Sequence, residues 1–242
     1  MRKDIMTMTK KVLIITTNID SFETIGFKTG LWLSELVTFY NTLEKAGYEM
    51  DIASPQGGKT PLDPQSLILP HLISATGLNG GVTNKYQDQA FAQKLEHTLP
   101  LNFVKADKYE AIYLTGGHGV MYDYPHSKAL QNLLTDFYEK GKVVSAVCHG
   151  SAGLLNAKLS NGTPLLYGKR VTGYSWLEEK LARIDHAVPF NLEAEIKAQH
   201  GIYSSSIIPF NTHVVQDGNL ITGQNPKSTK KVAQTVIRFL EK

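Results

Sequence analysis

The single cysteine of this 242-residue chain, Cys148, stands where Val143-Val144-Ser145-Ala146-Val147 gives way to His149-Gly150-Ser151-Ala152-Gly153. An apolar, β-type run that stops at a nucleophilic side chain and continues into small, helix-like residues has the shape of a nucleophile elbow. A thiol held there faces the free N–H groups and partial positive charge of a helix N-terminus. The pattern therefore predicts a lowered thiol pKa and a reactive thiolate, with His149 at hand as a base. A lone cysteine on a buried strand is more often an inert small hydrophobe. Its position at the strand's end, the adjacent histidine and the Gly/Ser/Ala cluster that leaves room above the sulfur point to chemistry instead.

Other residues could complete such a site. Gly116-Gly117-His118-Gly119 follows the strand-like Ala111–Thr115 directly. It lacks the Walker spacing and the dinucleotide fingerprint. Its glycines suit an oxyanion hole, with backbone N–H groups at Gly116 and Gly117 and a second donor at the elbow. His118 either lines that pocket or caps the loop. Glu35 lies one turn into a helix; beside a thiol in a poorly hydrated pocket, its carboxyl would hold its proton more firmly. Glu178 or Glu179 could orient His149 as the third member of a nucleophile–base–acid set. The chain has eight histidines, but no pair at ligand spacing and no His-Glu-x-x-His, so no metal site is identified.

The elements that must position these residues alternate between strand and helix. Lys11–Thr17, Tyr48–Ala53, Ala111–Thr115, Val143–Val147 and Lys169–Thr172 read as strands. Leu31–Ala46, Tyr86–His97, Ser127–Lys140, Ser151–Asn156, Trp176–Leu181 and Lys227–Leu240 read as helices. Val214-Val215 and Leu220–Thr222 flank Asp217-Gly218 as a hairpin, and Asn161-Gly162 marks a tight turn. This alternation predicts a mostly parallel sheet covered on both faces, with the site at the carboxyl ends of its strands. One domain over residues 1–242 is expected, with residues 1–10 a polar lead-in and 54–85 and 183–210 as cap or excursion segments.

A net charge of +3, with no Lys/Arg cluster interleaved with aromatics, argues against nucleic-acid binding. No apolar stretch approaches membrane-spanning length. One cysteine excludes an internal disulfide and fits a reducing, cytoplasmic setting.

These residues resemble the ThiJ/PfpI superfamily, to which the Parkinson-disease protein deglycase belongs. Ala146-Val147-Cys148-His149-Gly150 is its elbow signature. Several other stretches are similar to the heat-inducible chaperone/glyoxalase III class: Lys28-Thr29-Gly30 with Glu35, Gly116–Gly119 with Asp123-Tyr124-Pro125, Gly168–Tyr174, and Thr222–Pro226. The resemblance implies a flavodoxin-like three-layer sandwich. It also implies a glutathione-independent glyoxalase that turns methylglyoxal into D-lactate without a cofactor. Cys148 then matches the nucleophile, His149 the base, Glu179 the triad acid and Glu35 the carboxyl that hydrogen-bonds the cysteine. A homodimer, holdase chaperone action on unfolded proteins and deglycase activity are further implications. Among competing readings, a glutamine amidotransferase would need a His-x-Glu segment, which His186, His200 and His213 do not provide. A cysteine peptidase or amidase, and a non-enzymatic chaperone or redox sensor, remain open to the same residues. A pocket closed by Glu35, Trp32, Tyr174 and Trp176 suits a small aldehyde better than a peptide.

Overall fold

A computed structural model of the chain describes residues 10–68 and 81–242. Seven strands, all but β3 expected from the sequence, form one sheet in the order β3-β2-β1-β4-β5-β9-β8. These are β1 (Lys11–Ile15), β2 (Glu49–Ser54), β3 (Leu99–Pro100), β4 (Ala111–Leu114), β5 (Val143–Val147), β8 (Val214–Asp217) and β9 (Leu220–Gly223). All neighbours are parallel except the β8–β9 hairpin. A second, two-stranded sheet pairs β6 (Arg170–Val171) with β7 (Ile202–Tyr203).

The apolar runs are buried because both faces of the sheet are covered. Successive strand residues point to opposite faces, so each run divides between two apolar layers. Leu13 and Ile15, Ile112 and Leu114, and Val144 and Ala146 join one layer; Leu130, Leu134 and Phe137 cover it. Val12 and Ile14, Ala111 and Tyr113, and Val143 and Val147 join the other, under Leu36, Val37, Val232 and Val236. Cys148 lies on this second side.

The helices are α1 (Leu33–Lys45), α2 (Gly81–Gln87), α3 (Gln89–Glu96), α4 (Val120–Asp123), α5 (Lys128–Glu139), α6 (Trp176–Leu181), α7 (Leu192–Ala198) and α8 (Thr229–Leu240). Three differ from the sequence expectation for identifiable reasons. The helix expected over Tyr86–His97 is two, because Asp88 leaves helical geometry and its carboxylate caps the Ala90 and Phe91 N–H groups. The helix expected over Ser151–Asn156 is instead a 3₁₀ segment, Cys148–Leu154. Gly150 there lies against the carbonyls of Leu114 and Thr115, where any Cβ would collide. The terminal helix begins at Thr229, after a 3₁₀ turn over Pro226–Ser228.

Helix α7 and strands β3 and β7 carry too little periodic apolar sequence to announce themselves. Helix α7 and β7 give 183–210 regular structure of its own. Residues 64–68 of the expected excursion are helical. Residues 1–9 of the lead-in and 69–80 of the excursion lie outside the described residues. Among the described residues no helix is long and apolar enough to cross a membrane.

Candidate active site

The site forms at the carboxyl ends of β1, β4 and β5, where the strand order changes direction on either side of β1, the usual place for a ligand on such a sheet. At the end of β5 the chain turns so sharply that Cys148 takes φ 58°, a left-handed conformation that costs a non-glycine residue energy. Its side chain is 3% exposed. Sγ lies 3.4 Å from Nδ1 of His149. The far ring nitrogen, Nε2, is 2.7 Å from Oε2 of Glu179. Thiol, imidazole and carboxylate therefore stand in one hydrogen-bonded line.

Glu178 and Glu179 separate cleanly. Ser175 caps α6, and Glu178 closes the capping box, its carboxylate also accepting from the Phe210 N–H at 2.6 Å and from Asn225 at 2.8 Å. Glu178 is thus bound to structure, while Glu179, one residue on, faces His149. The second oxygen of Glu179 is 2.8 Å from Nε2 of His118. Two imidazoles hold one carboxylate. Burial resists its ionisation, but His149 and His118 outweigh burial and bring the carboxyl down to about 2. Burial lowers the His149 pKa, so the ring favours its neutral, basic form.

Glu35 approaches the thiol from α1. Oε2 accepts the Gly116 N–H at 2.6 Å. Oε1 makes no hydrogen bond, while the Cys148 thiol lies near enough to the carboxyl to influence its titration. Burial raises this carboxyl to about 8, against pulls downward from the thiol and the Gly116 amide. The thiol does not follow the sequence expectation of a lowered pKa. Burial first, then the Glu35 carboxyl, push it well up; of its close contacts, the His149 backbone N–H pulls the other way. The expectation assumed a solvated thiol at the start of an α-helix. The structure supplies a dry sulfur and a short 3₁₀ segment.

The glycine loop also divides its roles. Gly116, expected among the oxyanion donors, gives its N–H to Glu35. A Cβ at Gly116 would sit 2.6 Å from Oε2 of Glu35 and 2.9 Å from Cβ of Cys148, so glycine is what lets carboxyl and thiol meet. Gly117, at φ 101°, packs on the backbone of Gly30 and Trp32. Trp32 in turn donates its N–H to the Gly116 carbonyl at 3.1 Å. His118 places Nε2 against the carboxylate of Glu179.

The rings of Phe22, His118, His149 and Tyr174 form a column, with successive centroids 5.2, 4.2 and 4.5 Å apart. Phe22 is buried, yet it belongs to neither apolar layer of the sheet. Asp123, in the Asp-Tyr-Pro stretch, ties the loop after β1 in place: its carboxylate accepts from the Thr17 hydroxyl at 2.8 Å and the Asn18 N–H at 2.9 Å.

Comparison with known proteins agrees with this geometry. The DJ-1/PfpI family profile matches residues 24–238. The chain belongs to the DJ-1/PfpI family. It is 33% identical over 242 residues to the glutathione-independent glyoxalase HSP31 of Saccharomyces cerevisiae, covering 96% of this chain and 98% of the relative. It is 30% identical to glyoxalase 3 of Candida albicans over 241 residues, covering 97% and 99%. Among solved structures, the Rapid Encystment Protein 24 kDa of Francisella tularensis superposes with TM-score 0.89 at 34% identity, covering 96% of this chain and 99% of that one. Glyoxalase III from Candida albicans gives 0.83 at 30% identity, covering 95% and 96%.

Within this DJ-1/PfpI fold, two features went unread in the sequence. Phe22 carried no signal in an irregular loop. His118 carried the right residue type, but its link to Glu179 joins loops 61 residues apart. The same distance in sequence hid the one group of three or more potential metal ligands found among the described residues, His118, His149 and Glu179.

Proposed function

We propose that this chain is a glutathione-independent glyoxalase, a lyase of the D-lactate dehydratase type, converting methylglyoxal to D-lactate without a cofactor. The observation that carries the reading is the hydrogen-bonded line of Cys148, His149 and Glu179, with the buried Glu35 carboxyl near the sulfur. Relatives that match nearly the whole chain bear the glyoxalase name. The burial of Cys148 favours a small aldehyde over a peptide chain.

The thiol adds across the aldehyde of methylglyoxal. Sulfur bonds to the carbonyl carbon, and the thiol proton passes, by way of Nδ1 of His149, to the carbonyl oxygen, giving a hemithioacetal. The neutral ring then takes the proton from that carbon, and the electron pair moves into an enediol. The imidazolium so formed is held by ionised Glu179. Returning the proton to the neighbouring carbon leaves a thioester, which water hydrolyses to lactate with His149 as base. Protonated Glu35 donates to the sulfur while it carries charge. The Gly117 amide and the elbow N–H of His149 are the proposed donors to the oxyanion.

The same reading carries a homodimer, a cytoplasmic setting, and holdase or deglycase activity as further parts of the proposal. The test is lactate formation from methylglyoxal without glutathione, with the product resolved by enantiomer. D-lactate is expected; no lactate from freshly reduced protein overturns the reading.

A further inference from the structure

The His118–Glu179–His149 bridge does more than the reaction requires. Orienting a base takes one carboxylate oxygen, and Glu179 offers its second to another imidazole. One ligand atom from each of His118, His149 and Glu179 lies within 4.8 Å of the others. Both rings turn Nε2 towards the same carboxylate, at 2.8 and 2.7 Å. Among the described residues no Lys or Arg forms an ion pair with Glu179; the two imidazoles are its partners. Phe22 packs beside His118 and Tyr174 beside His149, at the two ends of the ring column, so both donors are already oriented. His118 is partly exposed, which gives the cluster a solvent-facing side.

We propose that His118, His149 and Glu179 form a site for a zinc-like divalent cation, and that its occupation switches off the base. Two imidazole nitrogens beside one carboxylate suit Zn²⁺ or Co²⁺ rather than Mg²⁺ or Ca²⁺, which take oxygen ligands throughout. Zinc sits about 2.0–2.2 Å from such ligands. An ion replacing the shared protons needs the two N···O contacts to open to about 3.3 Å and the two imidazole nitrogens, no more than 4.8 Å apart, to settle at a similar distance, and one tetrahedral position stays open to water. The Cys148 sulfur, 3.4 Å from Nδ1 of His149, then lies in the outer shell and is not a ligand.

Binding displaces the protons on the two Nε2 atoms, which move to Nδ1 of the same ring or to solvent. Nδ1 of His149, the nitrogen that faces the sulfur, is left carrying the ring's proton. It has no lone pair with which to take one from the thiol or from the substrate carbon. The inhibitory consequence rests on the proposed reaction; the binding does not.

The experiment is titration of the metal-free, reduced protein with Zn²⁺ by calorimetry and with Co²⁺ by visible absorption. One ion per chain is expected. The cobalt spectrum should show tetrahedral d–d bands without a thiolate charge-transfer band. Cys148→Ser should bind unchanged. His118→Ala should bind at least about tenfold more weakly, since loss of a direct ligand costs no less than loss of an outer-shell partner. Glu179→Gln replaces it as the diagnostic variant if circular dichroism shows His118→Ala misfolded. The absence of saturable binding to the wild type, binding untouched by loss of a ligand, or binding lost in Cys148→Ser each overturns the proposal. Lactate formation by the wild type should fall along the same saturation curve. A wild type that makes no lactate even without metal sinks the glyoxalase reading and leaves the binding result standing.

Discussion

Glu35 and Glu179 are both buried, and both reach the Cys148–His149 pair. They hold opposite protonation states at neutral pH. Glu35 keeps its proton to about pH 8, and Glu179 gives its proton up at about 2. Burial is the largest influence on each, and it pushes both upward. The partners decide the outcome. Glu35 meets an amide and a thiol, neither of which returns enough to offset desolvation. Glu179 meets two imidazoles, whose attraction for its charge exceeds that cost. One pair of side chains thereby gains an acid beside the sulfur and an anion beside the base, the kind of separation that assigns roles in acid–base sites.

The largest effect should come from removing what the two halves share. Cys148→Ala should cut lactate formation by at least about a thousandfold, since the covalent route is lost. Retention of full turnover would end the mechanism. Next comes the imidazole half. Glu179→Gln keeps a hydrogen-bonding group but removes the charge, and should lower kcat by about 10²–10⁴-fold. It also removes an influence that raises the His149 pKa. The residual activity should therefore keep its base form to lower pH, and the acid limb of kcat/KM should shift downward. An upward shift would show that Glu179 is not the group that stabilises the imidazolium.

The two halves were not equally legible in the sequence. The elbow could be read because strand, cysteine, histidine and small residues are contiguous, and the parallel sheet because its apolar runs are short, regularly spaced and rich in Val and Ile. Glu35, an ordinary helix carboxylate by pattern, acquires meaning only through Gly116, a contact 81 residues away that sequence spacing cannot show. The choice between Glu178 and Glu179 was open because adjacent helix residues differ by about 100° of rotation, and the direction of α6 depends on its packing. The thiol pKa was read in the wrong direction for a related reason. Local sequence signals a helix-like start, whereas desolvation comes from the three elements that converge on the sulfur.

Gly116→Ala strikes the sulfur half first. Its Cβ would have to displace the Glu35 carboxylate or Cβ of Cys148, and such overpacking typically costs about 1–3 kcal/mol. We expect a lower Tm and a loss of turnover smaller than that of Glu179→Gln. The Cβ would also lie 3.0 Å from the His149 backbone nitrogen; the Glu179–His149 side-chain bond is expected to hold, so the acid limb of the pH profile should stay in place. A shifted acid limb would mean that the two halves are coupled through the backbone.

Glu35→Gln tests the comparison most gently, because it is nearly isosteric. The folded carboxyl titrates at about 8, against an ordinary 4.5. Between those values the folded protein holds a proton that the unfolded chain has released. Stability of the wild type should therefore fall as pH rises from about 4.5 and level off above about 8. Glutamine carries no such proton. Its carbonyl can still accept the Gly116 N–H, and its amide can still donate towards the sulfur. Relative to wild type, the variant should gain stability steadily across that window. Its turnover should also lose whatever alkaline limb comes from deprotonation of Glu35. Urea unfolding of both proteins at several pH values reads the first effect directly. A stability difference that stays constant with pH would show that Glu35 does not carry the proton, and the contrast with Glu179 would collapse to one of position alone.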